Sequence, residues 1–107
     1  MAGSKPSRLR EPEARLLWLR IAASLPNREA TTTQVKDRVP DYRELTPADL
    51  AQSPTRKNEK VWQQIVGNII SHKPTGTSLF TRGLAVRIKD GIRVTEKGLE
   101  YLKGKGL

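Results

Sequence analysis

Cysteine is absent from the 107 residues and histidine occurs once, as His72. Without cysteine there is neither a disulfide framework nor a thiolate zinc site, and one histidine cannot build a metal cage unaided. The chain is therefore expected to need no metal or other cofactor, and a reducing, intracellular setting is the simplest inference. Long apolar runs are also missing. Leu16-Leu17-Trp18-Leu19 is cut by Arg20, far short of the roughly 20 apolar residues a membrane helix needs. Met1 to Arg10 holds no apolar segment resembling a signal sequence. The expectation is a soluble protein that is not exported and has no membrane partner, cytoplasmic and, in a bacterium, associated with the nucleoid.

Acidic residues are in the minority, eleven Asp and Glu against twenty Lys and Arg, for a formal charge of +9. Such an excess suggests a polyanionic partner. It is also uneven: residues 1–52 carry nine basic and seven acidic side chains, residues 53–107 eleven and four. A general need for solubility would not place the excess in one half. Hydrophobic residues at 36% and charged residues at 29% suit one globular domain. We expect that domain over residues 11–103, between a flexible basic tail at 1–10 and a flexible tail at 104–107.

Local signals order the elements. Pro12, flanked by Glu11 and Glu13, opens a helix with Ala14, Leu17, Trp18, Ile21 and Leu25 on one face, closed by Pro26-Asn27. Glu29-Ala30-Thr31 reads as a short extended segment, after which Thr32 or Thr33 caps a second helix carrying Val35 and Val39 and stopped at Pro40. Thr46-Pro47-Ala48-Asp49-Leu50 supplies one extra helical turn in the connection that follows. The strongest helical pattern covers residues 55–72, where Trp62, Ile65, Val66, Ile69 and Ile70 make one apolar stripe. Lys73-Pro74-Thr75-Gly76 breaks it. Val86, Ile88, Ile92 and Val94 then alternate as a hairpin over residues 85–95, and Thr95 caps a last helix with Leu99, Leu102 and Tyr101. The fold class is mainly α with a small β-hairpin, in the order of a winged helix-turn-helix.

Several stretches resemble a known family. Glu29-Ala30-Thr31-Thr32-Thr33-Gln34-Val35-Lys36, the helix ending Asn68-Ile69-Ile70-Ser71-His72-Lys73, and Ile92-Arg93-Val94-Thr95-Glu96-Lys97-Gly98 look like the N-terminal winged-helix domain of Mrr-type restriction proteins and its stand-alone relatives, over roughly residues 14–103. The resemblance implies a DNA-binding module with the long helix as reader and the hairpin as wing. Full-length members attach a nuclease domain of the PD-(D/E)xK type. Here Pro40-Asp41 occurs, but none of the eleven acidic residues is followed two positions later by lysine.

Candidate binding residues follow from helix geometry. If Trp62 marks the buried centre, a rotation of about 100° per residue puts Lys57, Lys60, Gln63, Gln64, Gly67 and Ser71 on the opposite side, with Asn68 at its edge. Gln and Asn can pair with adenine, Lys can take guanine or phosphate, and Gly67 allows close approach. A plain solvated helix face has the same composition. Arg56 and Lys57, however, would sit in the first turn, where the helix dipole disfavours cations until an anion arrives. Lys73 extends the same set. In the hairpin, a three-residue loop of Lys89, Asp90 and Gly91 would set Ile88 opposite Ile92, with Gly91 left-handed, and bring Arg87 and Arg93 together on the outside, a pair that favours a phosphate.

His72 reads as a helix-terminal surface residue, and Thr75-Gly76-Thr77-Ser78 lacks the ending of a phosphate-binding loop. Catalysis is the least expected role. Double-stranded DNA binding is the leading expectation. A protein-docking winged helix and binding of structured RNA stay open, although the single Phe80 offers little for base stacking. A homodimer is open too.

Overall fold

The structure is a computed structural model and describes residues 8–55, 57–71 and 78–107, with only the main chain at Ser71. The chain is mainly helical, with a small three-stranded antiparallel sheet in the order β1-β3-β2. The elements run α1 (Glu11–Ala23), a 3-10 turn at Pro26–Arg28, β1 (Glu29–Thr31), α2 (Thr32–Tyr42), α3 (Pro47–Leu50), α4 (Val61–Ser71), β2 (Ala85–Ile88), β3 (Gly91–Val94) and α5 (Glu96–Gly104).

The first helix is the centre of the molecule, packed by α2, α4, α5, β1 and β3. Its burial is accordingly wider than one stripe: Leu19 and Ala22 are enclosed along with Ala14, Leu17, Trp18 and Ile21. The Trp18 indole N–H donates to the Val66 carbonyl at 2.9 Å, which satisfies its one polar atom inside the core and ties α1 to α4. Trp62, Val66 and Ile69 of the expected α4 stripe are buried against it, with Ile65 and Ile70 packed at the margin.

Cap chemistry sets most helix ends. Thr31, rather than Thr32 or Thr33, caps α2 in a reciprocal box with Gln34. The helix then passes through Pro40 to Tyr42 instead of stopping there. Proline lacks an N–H, but only two helical residues follow it, so the loss falls in a last turn that is loosely bonded anyway. Thr46 caps α3 as the sequence suggests, and does so in a reciprocal box with Asp49; Thr95 accepts the Gly98 N–H to start α5. At the far end Gly106, at φ 75, turns the chain back so that the Gly106 and Leu107 N–H groups reach Lys103 and Leu102. The segment expected as a tail from 104 thus begins as a closed helix end. At the other end Leu9, placed in the expected N-terminal tail, is fully buried.

Two expectations fail at the site. The helix expected over residues 55–72 starts only at Val61. The described residues between Ala51 and Val61 form a closed loop instead, in which Ser53 N–H bonds Glu59 carbonyl and Val61 N–H bonds Ala51 carbonyl, both at 2.9 Å. Residues 55–60 contain no apolar side chain to hold a helix against the core, and Ser53, Thr55 and Gln52 bond locally instead. The hairpin register differs as well. Ile88 pairs with Gly91, Arg87 with Ile92 and Val86 with Arg93, so the loop is Lys89-Asp90 and it is Asp90, at φ 59, that turns left-handed. Gly91 is required for another reason: a Cβ there would stand 1.9 Å from the Ala30 carbonyl oxygen, because β1 lies directly against it. The hairpin is therefore two strands of a three-stranded sheet.

Candidate nucleic-acid interface

The outward side of α4 and the loop before it hold the largest group of candidate residues. Lys60 precedes the first helical residue and is exposed. Its main-chain N–H donates to Gln63 Oε1 at 2.8 Å, so Gln63 closes the helix start from within while its amide NH2 has no partner among the described residues. Gln64 is more committed. Its Oε1 accepts the Ser53 hydroxyl and its Nε2 donates to Thr55 Oγ1 at 2.9 Å. That amide holds the loop to the helix and is withdrawn from the reading role expected of it.

Lys57 is exposed in the loop, not in a first helical turn, so the helix-dipole argument for it is overturned. Its carbonyl accepts the Gln52 amide at 2.7 Å, which keeps the loop closed and leaves the ammonium outside. The loop is pinned from below as well, by Lys36 Nζ on Glu59 Oε2 at 2.6 Å. Among the described residues neither Lys57 nor Lys60 has an ion-pair partner. Arg56 and Lys73, the Ser71 side chain, His72 and most of Thr75-Gly76-Thr77-Ser78 lie outside the described residues.

Gly67 lies midway along α4, half-exposed, next to Asn68. A Cβ built on it meets no described atom within 4 Å. Glycine inside a helix costs about 1 kcal/mol relative to alanine. Nothing among the described residues requires that cost, since none of them fills the space above Gly67.

The hairpin contributes less than expected. Arg87 and Arg93 fall on opposite faces of the sheet, so the expected like-charge pair does not form. Arg87 shares the side of buried Ile92, donates to the Ile70 carbonyl near the end of α4, and lies 5.2 Å from the Phe80 ring centroid. Arg93 is on the outer face beside Val86 and is paired with Glu29, its Nε and Nη2 at 2.9 and 2.8 Å from Oε2. The turn is docked, with the Thr32 N–H donating to the Asp90 carbonyl at 2.9 Å. Lys89 alone among the three basic residues of the hairpin stands exposed without a partner among the described residues.

Two arrangements carry no signal in the sequence pattern. Asp49, fully buried, accepts the Leu9 N–H at 2.7 Å and the Thr46 N–H at 2.9 Å, with Arg43 Nη1 at 3.3 Å. Burial pushes its carboxyl up, but the Thr46 and Leu9 N–H groups, the Thr46 hydroxyl and the Arg43 charge outweigh that and leave it below the ordinary value. The second is a cleft of about 460 Å³ lined by Arg82, Leu84, Lys97, Glu100 and Tyr101. Its residues meet only when α5 folds onto the turn before β2, so no linear spacing announces them.

Among the described residues no three His, Cys, Asp or Glu side chains come together to hold a metal ion, and no helix is long and apolar enough to cross a membrane. Comparison of the chain with protein-family models, with curated proteins and with solved structures gives no match.

Proposed function

We propose that this chain is a winged helix-turn-helix module that binds double-stranded DNA without catalysing a reaction, as the Mrr-type domains it resembles are expected to do. The observation that carries the reading is Gly67, an unfilled position in the middle of α4. It lies one helical turn after Gln63, beside Asn68, and downstream of Lys57 and Lys60, which are exposed and without an ion-pair partner among the described residues. A partner that must approach the helix backbone closely, as a major-groove edge does, makes use of that gap.

In this reading α2 and α4 are the two helices of the motif, α3 and the 51–61 loop decorate the turn, and β2 and β3 form a short wing. Lys57, Lys60 and Lys89 meet phosphates and supply most of the affinity, while Asn68 and the free NH2 of Gln63 face base edges. Gln64 and Arg87 act by positioning the loop and the hairpin. The net charge of +9 supports the reading in bulk, and the open surface of α4 supports it locally.

The test is a salt titration of binding to duplex DNA, duplex RNA and an unrelated polyanion. DNA binding is expected to fall steeply with salt, and Lys60→Gln is expected to reduce the slope of log K against log salt by about one, because one phosphate contact is removed. No DNA binding at low salt contradicts the proposal. Equal affinity for all three polymers reduces it to non-specific charge, and preference for duplex RNA replaces it with shape recognition of RNA.

A further inference from the structure

A second group of cations lies on α5 and the turn before β2, and shares no residue with the α4 surface. Arg82 Cζ is 4.8 Å from the Tyr101 ring centroid and Lys105 Nζ is 5.2 Å from it. Lys97 extends over Gly83, its Cδ and Nζ 3.6 and 3.9 Å from where a Cβ would stand on that residue. Gly83 itself is at φ 74 and its carbonyl accepts the Thr95 hydroxyl at 2.6 Å, which fixes the turn against the start of α5. Gly98 completes the close fit: a Cβ there would stand 2.2 Å from the Leu84 carbonyl oxygen.

Two cations, Arg82 and Lys105, thus meet the Tyr101 ring, and the cleft that Arg82 and Lys97 line beside it offers a single carboxylate, Glu100. Glu96, one helical turn before Glu100 on α5, is paired with Arg28 at 2.5 Å. Among the described residues Arg82, Lys97 and Lys105 have no ion-pair partner. Arg82, and then the Lys105 charge, pull the Tyr101 phenol below its ordinary value against the opposing effect of its burial. Holding like charges together is unfavourable until an anion enters. A space of about 460 Å³ with buried Leu84 along one wall exceeds a bare carboxylate and suits a phosphate carried on a larger, partly apolar group such as a sugar.

We infer that the Arg82, Lys97, Tyr101 cleft binds a phosphate group, with Arg82 and Lys97 as donors and Tyr101 as a hydroxyl donor at the rim. On the DNA-binding reading above, which this source of the ligand rests on, the group is a nucleic-acid phosphate beyond the α4 footprint. A phosphorylated small molecule offers the same chemistry.

The experiment is amide NMR on the full chain, titrated separately with inorganic phosphate against chloride at constant ionic strength and with a short duplex. Saturable shifts at Gly83, Lys97, Gly98 and Tyr101 are expected, weakened about tenfold in Lys97→Gln and in Arg82→Gln, as loss of a charge-assisted contact implies. Lys97 is exposed, so its variant keeps the fold if Arg82→Gln does not. Shifts with duplex at these amides, lost in Lys97→Gln, assign the site to nucleic acid. Shifts with phosphate but no duplex binding anywhere assign it to a free phosphorylated compound, and in that case the DNA reading fails while the cleft stands. If the duplex moves α4 amides while neither ligand moves the cleft amides, the inference is overturned and the DNA reading stands; if Lys97→Gln changes nothing, the inference is overturned whatever the duplex does at α4; and if no amide moves with either ligand, both fail.

Discussion

Arg87 donates its guanidinium to the main-chain carbonyl of Ile70, seventeen residues earlier, and so fastens the first hairpin strand to the end of α4. Four positions on, where a helix would supply the donor to this carbonyl, stands Pro74, which has no N–H, and a cation beside late helical carbonyls is favoured by the helix dipole. What reads in sequence as a DNA-contacting wing arginine is held as a clasp between the two elements that would face DNA.

Arg87→Ala is therefore expected to destabilise the fold by about 1 kcal/mol, through a charge-assisted bond to a helix end. Arg93→Ala, which breaks only an exposed pair with Glu29, is expected to stay within about 0.5 kcal/mol of the parent. Urea unfolding of the two variants checks this; equal losses, or a larger loss at Arg93, contradict the clasp.

Gly67→Ala places a methyl group in open space on a helix. Stability is expected to rise by about 0.5–1 kcal/mol, since alanine removes the backbone entropy cost of glycine without a clash. Duplex affinity is expected to fall, because the same methyl fills the gap a groove edge would use. Thermal unfolding and a binding titration on one sample give both readouts. A more stable variant that binds as before removes the functional reason for this glycine.

Asp49 links Leu9 to α3 through a carboxylate held below its ordinary value near 3.8. A depressed folded value means that the carboxylate contributes stability above its unfolded value and loses it as pH falls through the folded one. Acid unfolding should accordingly shift to higher pH in Asp49→Asn, which is also expected to cost about 3 kcal/mol at neutral pH by leaving an N–H of Leu9 or Thr46 without its acceptor and by taking from Arg43 its buried counter-charge, with Glu13 still beside it at 3.1 Å. An unchanged acid midpoint would show that this carboxylate is not part of the acid response.

Much of the fold was legible because its signals are local. Pro12 with its flanking glutamates, the Thr46 and Thr95 caps and the Trp62 to Ile70 stripe each act over four to nine residues, and each stands where expected. The misses share a different cause. The sequence pattern makes Gly91 a turn glycine, whereas the approach of the Ala30 carbonyl selects it, and that partner is sixty-one positions away in the chain. With the glycine misplaced by one role, the register slipped and Arg87 moved to the wrong face. The start of α4 was missed because Ser53, Thr55 and Gln64 form a network whose competition with helix appears only once the loop closes. Lys60, Gly67 and Asn68 were legible as an outward face, but the withdrawal of Gln64 from that face was not. Leu9 gave no pattern at all, since one apolar residue between two arginines reads as tail until Asp49 is buried above it.

The most direct test of DNA recognition by α4 is to follow the main-chain amides of the isotope-labelled chain as duplex DNA is added at low salt. Saturable shifts are predicted at Lys60, Gln63, Gly67 and Asn68, with Lys89 at the hairpin turn. Duplex addition that leaves these α4 amides unmoved, whether because nothing binds or because binding falls wholly elsewhere, contradicts it.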